Sequence, residues 1–307
     1  MKNIIVTGGA GFIGSNLAMY LQEKAEDTNI IVVDDFRQAS FKALEGFKGD
    51  IIASNVAEKE WLLTFKNKKV SAIFHLASIT DTTVLDERKM MFDNVEGFRN
   101  ILELAVEKGS DVVYASSAAV YGSQDLPMKE EDGGKPNNIY GFSKWVMENL
   151  AKTYSGKIKV AGLRYFNVFG PNEYYKGNAA SMIYQLACQM IEGKRPRIFT
   201  AGEQRRDFVY VKDVVSATFS ALFAKSGTVV NIGSGKSTSF NEVIDAINKA
   251  LGSSLKPSYF DNPYDFYQDF TEADLSKAKK EIAYEPAFTT AEGIKDYITK
   301  YLIEVKR

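Results

Sequence analysis

Short, nearly continuous runs of β-branched and apolar residues alternate along the chain with stretches whose apolar positions recur every three or four residues. NIIVTG (3–8), IIVVDD (30–35), AIFHLA (72–77), DVVYAS (111–116) and KVAGLRYF (159–166) have the pattern of strands buried on both faces. Helical periodicity fills the intervals, at about 12–24, 58–67, 88–108 and 138–155. The alternation predicts an α/β fold, a doubly wound parallel sheet with helices on both faces. A further helix is expected over 213–225 and a strand over 228–233. Helices at about 240–251 and 290–303 follow, separated by a loop with Pro257 and Pro263. No repeat, low-complexity tract or flexible linker interrupts the pattern, so a second domain is expected to pack closely on the first.

With 307 residues, 45% of them hydrophobic, the chain can bury a large core and has the length of about two domains. Lys plus Arg total 38 and Asp plus Glu 39, so no basic excess invites nucleic acid or an anionic membrane surface. No stretch approaches the ~20 apolar residues of a membrane span. The opening MKNIIVTGGAGFIG has an apolar run broken by glycines and reads as a strand turning into a helix, not as a signal peptide. Cys188 and His75 are the only residues of their kinds. No internal disulfide can form, which fits a reducing, cytoplasmic compartment, and a Cys/His zinc site is not expected. Chemistry is left to Ser, Tyr, Lys, Asp or a cofactor.

The glycine loop VTGGAGFIG places Gly8, Gly11 and Gly14 between a strand and a helix. Such glycines permit a tight turn and let the backbone approach a pyrophosphate at the helix N-terminus. The next strand ends in Asp34, 20 residues beyond Gly14, where a carboxylate can accept from an adenosine ribose. Arg37 and Lys42 follow closely, and either can pair with a 2′-phosphate or belong to a solvated loop. NAD and NADP both remain open. GSGKST (233–238) resembles the end of a P-loop, but the glycine required five residues before Gly235 is Val230, so it reads as a turn after a strand.

In NNIYGFSKWVMENL, Tyr140 and Lys144 are four apart and share one helix face. A tyrosine near pKa ~10 is a poor base until an ammonium and a cationic nicotinamide favour its phenolate. The pair follows YASSAAVYG, at the C-terminal end of an expected parallel strand, where such sheets bind ligands. Ser117 there can hydrogen-bond a substrate hydroxyl.

Gly8-Gly11-Gly14, Asp34, SSAAVYG, Tyr140-x-x-x-Lys144, RYFNVFGP (164–171), RRDFVYVKDV (205–214) and NIGSG (231–235) together resemble the extended short-chain dehydrogenase/reductase family, over nearly the whole chain. The resemblance implies a Rossmann domain over 1–166, which also receives about 205–233. It implies a smaller nucleotide-sugar domain over 167–307 and a tightly bound NADP or NAD. Ser117 is then the hydrogen-bond partner, Tyr140 the acid/base and Lys144 the ribose-binding group that modifies its pKa. Phe12, Ile13, Asp35, Arg37, Leu76, Ala77, Ser78, Asn94 and Val168 fall on the cofactor side, with His75 packing beside it.

Dehydratases of the family carry an Asp-Glu pair after the serine or threonine. Here Ala118 and Ala119 stand there, which leaves oxidation and reduction, as in an epimerase. RYFNVFGPNEYYKGNAASMIYQL, EDGGKPNNIYGFSK, MMFDN (90–94) and YQDFTEADL (267–275) are similar to the subfamily of 6-epimerases that act on ADP-linked heptoses for lipopolysaccharide. That similarity implies a second catalytic base at Lys176, also near the cofactor. It implies substrate contacts from Asn167, Asn178, Gln185, Phe199, Thr200, Ala201, Gly202, Arg206 and Tyr267, and a homo-oligomer. Asn178 and Gln185 stand where that subfamily has a serine and a histidine, and FRQASFKALEGFKGD (36–50) departs from its better-known members. A UDP-sugar 4-epimerase is the alternative, and a non-catalytic cofactor-binding regulator the third. Lys176 separates the first two, because a 4-epimerase turns a whole ring and needs only the tyrosine.

Overall fold

The continuous apolar runs of the N-terminal half become strands because each is covered on both faces. The computed structural model describes residues 2–25, 27–80, 86–261 and 270–303, without the side chains of Asn178 and Thr200. In chain order the first half contains β1 (Lys2–Thr7), α1 (Phe12–Lys24), β2 (Thr28–Asp34), β3 (Asp50–Ala53), β4 (Val70–His75), α2 (Glu87–Met91), a π-helical turn (Phe92–Glu96), α3 (Gly97–Lys108), β5 (Asp111–Ser117), α4 (Ile139–Tyr154) and β6 (Val160–Tyr165). The second half contains β7 (Asn167–Phe169), α5 (Met182–Ile191), β8 (Arg197–Phe199), β9 (Arg205–Tyr210), α6 (Val211–Ser220), β10 (Thr228–Ile232), β11 (Ser237–Ser239), α7 (Phe240–Leu251), β12 (Ser258–Phe260), α8 (Ser276–Ile282) and α9 (Thr290–Tyr297).

A seven-stranded parallel sheet has the order β10-β6-β5-β4-β1-β2-β3. Side chains alternate between its two cores. Ile4 and Val6 of β1 join Leu17 and Leu21 of α1 on one face, while Ile5 joins Phe98, Ile101 and Leu102 of α3 on the other. Leu17 and Leu21 are fully buried, and truncating such a leucine to alanine costs roughly 2–5 kcal/mol. β10 reaches this sheet from the second half of the chain and pairs with β6 from Thr228↔Ala161 to Ile232↔Tyr165. The remaining strands form a three-stranded sheet, β11-β9-β7, and a parallel pair, β12-β8.

Two expectations meet differences. The stretch expected as a helix over 58–67 is a short 3₁₀ helix, Glu60–Phe65, that buries Trp61 and Phe65. The strand β3 was not expected, because its four residues are mostly exposed at the sheet edge and carry no buried run. Among the described residues, no helix is long and apolar enough to cross a membrane.

Candidate active site

The C-terminal ends of β1, β2, β4, β5 and β6 open into one cleft of about 1000 Å³. The strand order reverses across β1, which is where doubly wound sheets bind ligands. Gly8 follows β1 with φ +67°, and a Cβ there would lie 2.6 Å from Ala77 N. A Cβ on Gly14 would lie 2.0 Å from Gly8 O, so Gly14 lets α1 pack against the loop. Gly11 differs: its Cβ would meet only Gly8 O, at 3.2 Å. It starts α1 in an extended conformation, no side chain caps that helix, and no acidic residue occupies its first turn. Phe12, Ile13 and Gly14 line the cleft from this turn. A backbone cradle at an uncapped helix N-terminus fits the pyrophosphate of a dinucleotide.

Asp34 ends β2 and is buried. Its Oδ2 accepts from Ala10 N at 2.9 Å and its Oδ1 from Phe36 N at 2.8 Å, so it ties the glycine loop to β2 while lining the cleft. Burial raises its pKa and the backbone N–H groups oppose the rise. Leu76, Ala77 and Ser78 line the cleft after β4. Asn94 does too, and its amide also braces the segment, accepting from Ile79 N at 2.7 Å and donating to Ser143 Oγ at 3.0 Å.

Ser117 ends β5, and its Oγ accepts from Ala119 N at 3.1 Å. The first turn of α4 presses on this segment, because a Cβ on Gly141 would lie 2.4 Å from Ala119 O. Asn138 caps α4 by accepting from Gly141 N at 2.8 Å. Tyr140 is thereby brought to Ser117, whose hydrogen bond favours the phenolate, while burial pushes the tyrosine pKa up. Lys144 lies one turn on, 2% exposed, with Nζ 5.8 Å from the Tyr140 ring centroid and donating to Ala115 O at 2.9 Å. Burial pushes the ammonium down to about 7, opposed by Glu148. His75 is buried, stacked on Phe98, and shares a 2.8 Å hydrogen bond between Nδ1 and Thr7 Oγ1. Burial and the Lys144 charge hold it down at about 3, so it stays neutral and serves packing.

Lys176 enters the same cleft from the segment after β7. Its Nζ sits 5.9 Å from the Phe12 ring centroid, beside the glycine loop. Asn16 donates to Pro171 O at 2.9 Å and Asn172 to Ser15 Oγ at 3.0 Å, so α1 anchors this segment. Gly177 kinks it with φ +57°, a conformation that favours glycine. Burial lowers the Lys176 pKa and the Glu173 carboxylate opposes the shift.

Asn167, Val168 and Arg206 also line the cleft. Asn167 is held by donating to Asp207 O and Thr271 Oγ1, each at 3.2 Å. Gln185 is turned elsewhere, donating to Ala180 O at 2.9 Å. Phe199 packs edge-on against Phe260, and Ala201 O accepts from Asn241 at 2.9 Å. The turn of Phe199, Ala201 and Gly202 is outside the cleft lining. Asn178 and Thr200 have no described side chain, and Tyr267 lies outside the described residues. The GSGKST turn is filled from within: Asp207 accepts from Ser234 N at 2.6 Å, Gly235 N at 3.0 Å and Ala273 N at 3.0 Å. A protein carboxylate thus occupies the N–H groups that a phosphate would need.

Residues 4–233 match the NAD dependent epimerase/dehydratase family. The chain belongs to that family. The epimerase/dehydratase chain is 38% identical over 308 residues to the ADP-L-glycero-D-manno-heptose-6-epimerase of Brachyspira hyodysenteriae, covering 96% of each. The crystal structure of Helicobacter pylori ADP-L-glycero-D-manno-heptose-6-epimerase is 39% identical with TM-score 0.92, covering 96% of this chain and 95% of that one. UDP-glucose 4-epimerase from Thermotoga maritima with UDP-glucose shares 27% identity with TM-score 0.91, covering 99% of this chain and 100% of that one.

This epimerase/dehydratase chain also brings residues to the cleft that sequence reasoning missed. Lys89, Asp93 and Asn55 are the clearest. Lys89 and Asp93 are four apart, and in sequence alone that spacing describes an ordinary solvated helix pair. The π-helical turn buries Asp93 and Asn94 side by side, and such turns recur at functional sites.

Proposed function

We propose that the protein interconverts ADP-D-glycero-D-manno-heptose and ADP-L-glycero-D-manno-heptose, inverting the exocyclic C6 through a transient 6-keto sugar. The observation that carries this reading is that Tyr140 and Lys176 line one cleft from different segments, α4 and the loop after β7. When bound, NAD(P) supplies reversible hydride acceptance at the sugar carbon. The residues present fit such a group at Gly8, Gly11, Gly14 and the start of α1.

Tyr140 Oη removes the proton from the C6 hydroxyl as the carbon is oxidised, with Ser117 holding the oxygen and the Lys144 charge favouring the phenolate. The terminal fragment of the sugar then rotates, so that its other face meets the same hydride source. Its oxygen now points to a new place, where Lys176 Nζ gives the proton on reduction. Either group serves as acid or base, depending on the direction of reaction. Phe12 fixes the lysine beside the glycine loop, and Arg206 offers a planar cation to the sugar-nucleotide diphosphate. On this reading Asn167, Asn178 and Tyr267 contact the substrate, while Gln185 and the Phe199–Gly202 turn, which stand outside the cleft lining, do not. NAD(P) stays tightly bound, and the enzyme works as a cytoplasmic homo-oligomer supplying heptose for lipopolysaccharide.

The 38–39% identities to heptose 6-epimerases, against 27% to the UDP-glucose 4-epimerase, support the heptose over the UDP-sugar reading. The test is an assay of the purified protein with ADP-heptose and UDP-hexose epimers, resolving the products. Inversion of the ADP-heptose alone is the expected result. Inversion of a UDP-hexose at C4, with none of the ADP-sugar, would replace this reading by the alternative.

A further inference from the structure

Behind Tyr140 and Lys144 lies a buried ion pair that takes no part in the epimerisation steps above. Tyr140, Lys144 and Glu148 stand four apart on α4 and so share one face of it, one residue per turn. The Glu148 side chain is 1% exposed and that of Arg164, from β6, 3% exposed. Glu148 Oε1 accepts from Arg164 Nε at 2.9 Å and its Oε2 from Arg164 Nη2 at 2.8 Å, a bidentate contact. Arg164 is fixed in turn. Its Nη1 donates to Glu130 O at 2.9 Å, and its guanidinium lies 4.8 Å from the Tyr121 ring centroid.

Glu148 Oε1 also accepts from Ser116 Oγ at 2.6 Å, while Lys144 Nζ donates to Ala115 O at 2.9 Å. Two successive turns of α4 therefore grip β5 at the two residues before Ser117. Arg164 is the register partner of Ser116 on β6, so the pair joins α4 to both strands. Such a pair is a weak source of stability, because well-packed apolar side chains of similar volume often serve as well or better. Its place beside Lys144 gives it another use. Burial favours loss of the Lys144 proton, and the Glu148 charge opposes that loss. Of the other ionisable groups around this line, His75 of β4 is neutral, burial keeps Tyr114 of β5 protonated, and Arg164 of β6 is engaged by Glu148. Glu148 thus supplies negative charge to the lysine whose ammonium Tyr140 needs.

We infer that Glu148 is a positioning residue for the proton transfer, acting through Lys144 and the Ser116–Ser117 end of β5, with Arg164 holding it in place. The inference rests on the roles proposed for Tyr140 and Lys144. Two measurements on the full-length protein as purified test it. One is the pH dependence of Lys144 acetylation by acetic anhydride, read by peptide mass spectrometry, since only the neutral amine reacts. The other is kcat and KM for ADP-heptose epimerisation over the same pH range. Glu148→Gln keeps an oxygen for Ser116 and loses the charge. Its Lys144 midpoint is expected to fall by about one pH unit. Above both midpoints that leaves about tenfold less ammonium, so kcat should fall by about tenfold there and less at lower pH, with KM little changed. Arg164→Gln removes a cation and leaves the Glu148 charge, so its Lys144 midpoint should stay at or above that of wild type. It serves alone if Glu148→Gln does not fold. An unchanged midpoint in folded Glu148→Gln would overturn the inference. So would a kcat loss that is equal at every pH, or a midpoint that falls in Arg164→Gln, because either describes general damage to the fold. A wild type that does not turn over ADP-heptose, with the Glu148→Gln midpoint still lowered, would overturn the proposed reaction and leave the action of Glu148 on Lys144 standing.

Discussion

Glu173 closes both ends of the loop that carries Lys176. Its Oε1 accepts from Gly170 N at 3.0 Å and its Oε2 from Ser181 N at 2.8 Å, and the side chain is fully buried. The same carboxylate opposes the lowering of the Lys176 pKa. One acidic residue therefore both shapes the loop and helps keep its lysine charged.

Burial pushes the Glu173 carboxyl from 4.5 up to about 7, against the pull of the two N–H groups. A carboxyl raised in the folded state binds a proton more readily there than in the unfolded chain. Its contribution to stability is whole below pH 4.5 and is lost as pH rises through about 7. A shift of this size corresponds to roughly 3 kcal/mol. Glu173→Gln does not titrate and keeps one oxygen acceptor, much like the protonated acid. Urea unfolding of both proteins from pH 4.5 to 8 should show the variant gaining on wild type by up to that amount as pH rises. His75, held down at about 3, works oppositely between about 3 and 6.5, so only the difference between the two proteins isolates Glu173. A difference independent of pH would mean that the carboxyl has an ordinary pKa.

Gly11 and Gly14 should respond differently to alanine. At Gly14 the new Cβ would lie 2.0 Å from Gly8 O and 2.8 Å from Gly9 Cα, so α1 must shift. Overpacking of this kind costs typically ~1–3 kcal/mol, and a lower midpoint of thermal unfolding is expected. At Gly11 the nearest atom is 3.2 Å away and φ is −75°. Gly11→Ala asks Gly8 O to give by only a few tenths of an ångström, so it should lose less stability than Gly14→Ala while weakening dinucleotide binding, because the methyl is added at the glycine loop. Isothermal titration beside thermal melts separates the two effects. Undiminished binding by a folded Gly11→Ala would show that the pyrophosphate lies elsewhere.

Much of this was legible in the sequence, for reasons particular residues make plain. α1 and α7 occupy the expected 12–24 and 240–251. Gly11 opens the first, while Ser239, Glu242 and a left-handed Gly252 cap the second. The strands of the central sheet other than the exposed edge strand β3 could be read from apolar runs because both their faces are covered. What was not legible depends on distant segments meeting. The Asp207 carboxylate fills the GSGKST turn, accepting from the N–H groups of Ser234 and Gly235, 27 and 28 positions away, and also from Ala273 N, 66 positions away. Asp93 meets Arg37 across 56 positions through a π-helical turn, and a periodicity of 3.6 cannot announce that turn.

Tyr140→Phe removes one oxygen from a ring held by α4 and should leave the fold and dinucleotide binding unchanged. A general acid/base contributes typically ~10²–10⁴-fold, so kcat for epimerisation should fall by about that factor. Stopped assays on ADP-heptose epimers, with circular dichroism to confirm folding, decide the point. Turnover within a few-fold of wild type would remove Tyr140 from proton transfer.

Lys176→Met separates a proton-transfer group from a binding cation. A lysine that only holds the diphosphate interacts alike with ground and transition states, and its loss mainly raises KM. A lysine that moves a proton is needed chiefly in the transition state, and its loss lowers kcat. It lines the same cleft as Tyr140 from a segment other than α4, beside the Phe12 ring, which fits the second role. The expected result is a fall in kcat of about 10²-fold or more, with KM changed much less. A substrate analogue with an aldehyde at its terminal carbon sharpens the test, because its dismutation needs redox chemistry without inversion. Given both epimers of the analogue, Tyr140→Phe and Lys176→Met should each handle a different epimer poorly, since each group faces one orientation of the sugar. A Lys176→Met enzyme with wild-type kcat would reduce the reaction to one base at Tyr140, and the UDP-sugar 4-epimerase reading would then take precedence.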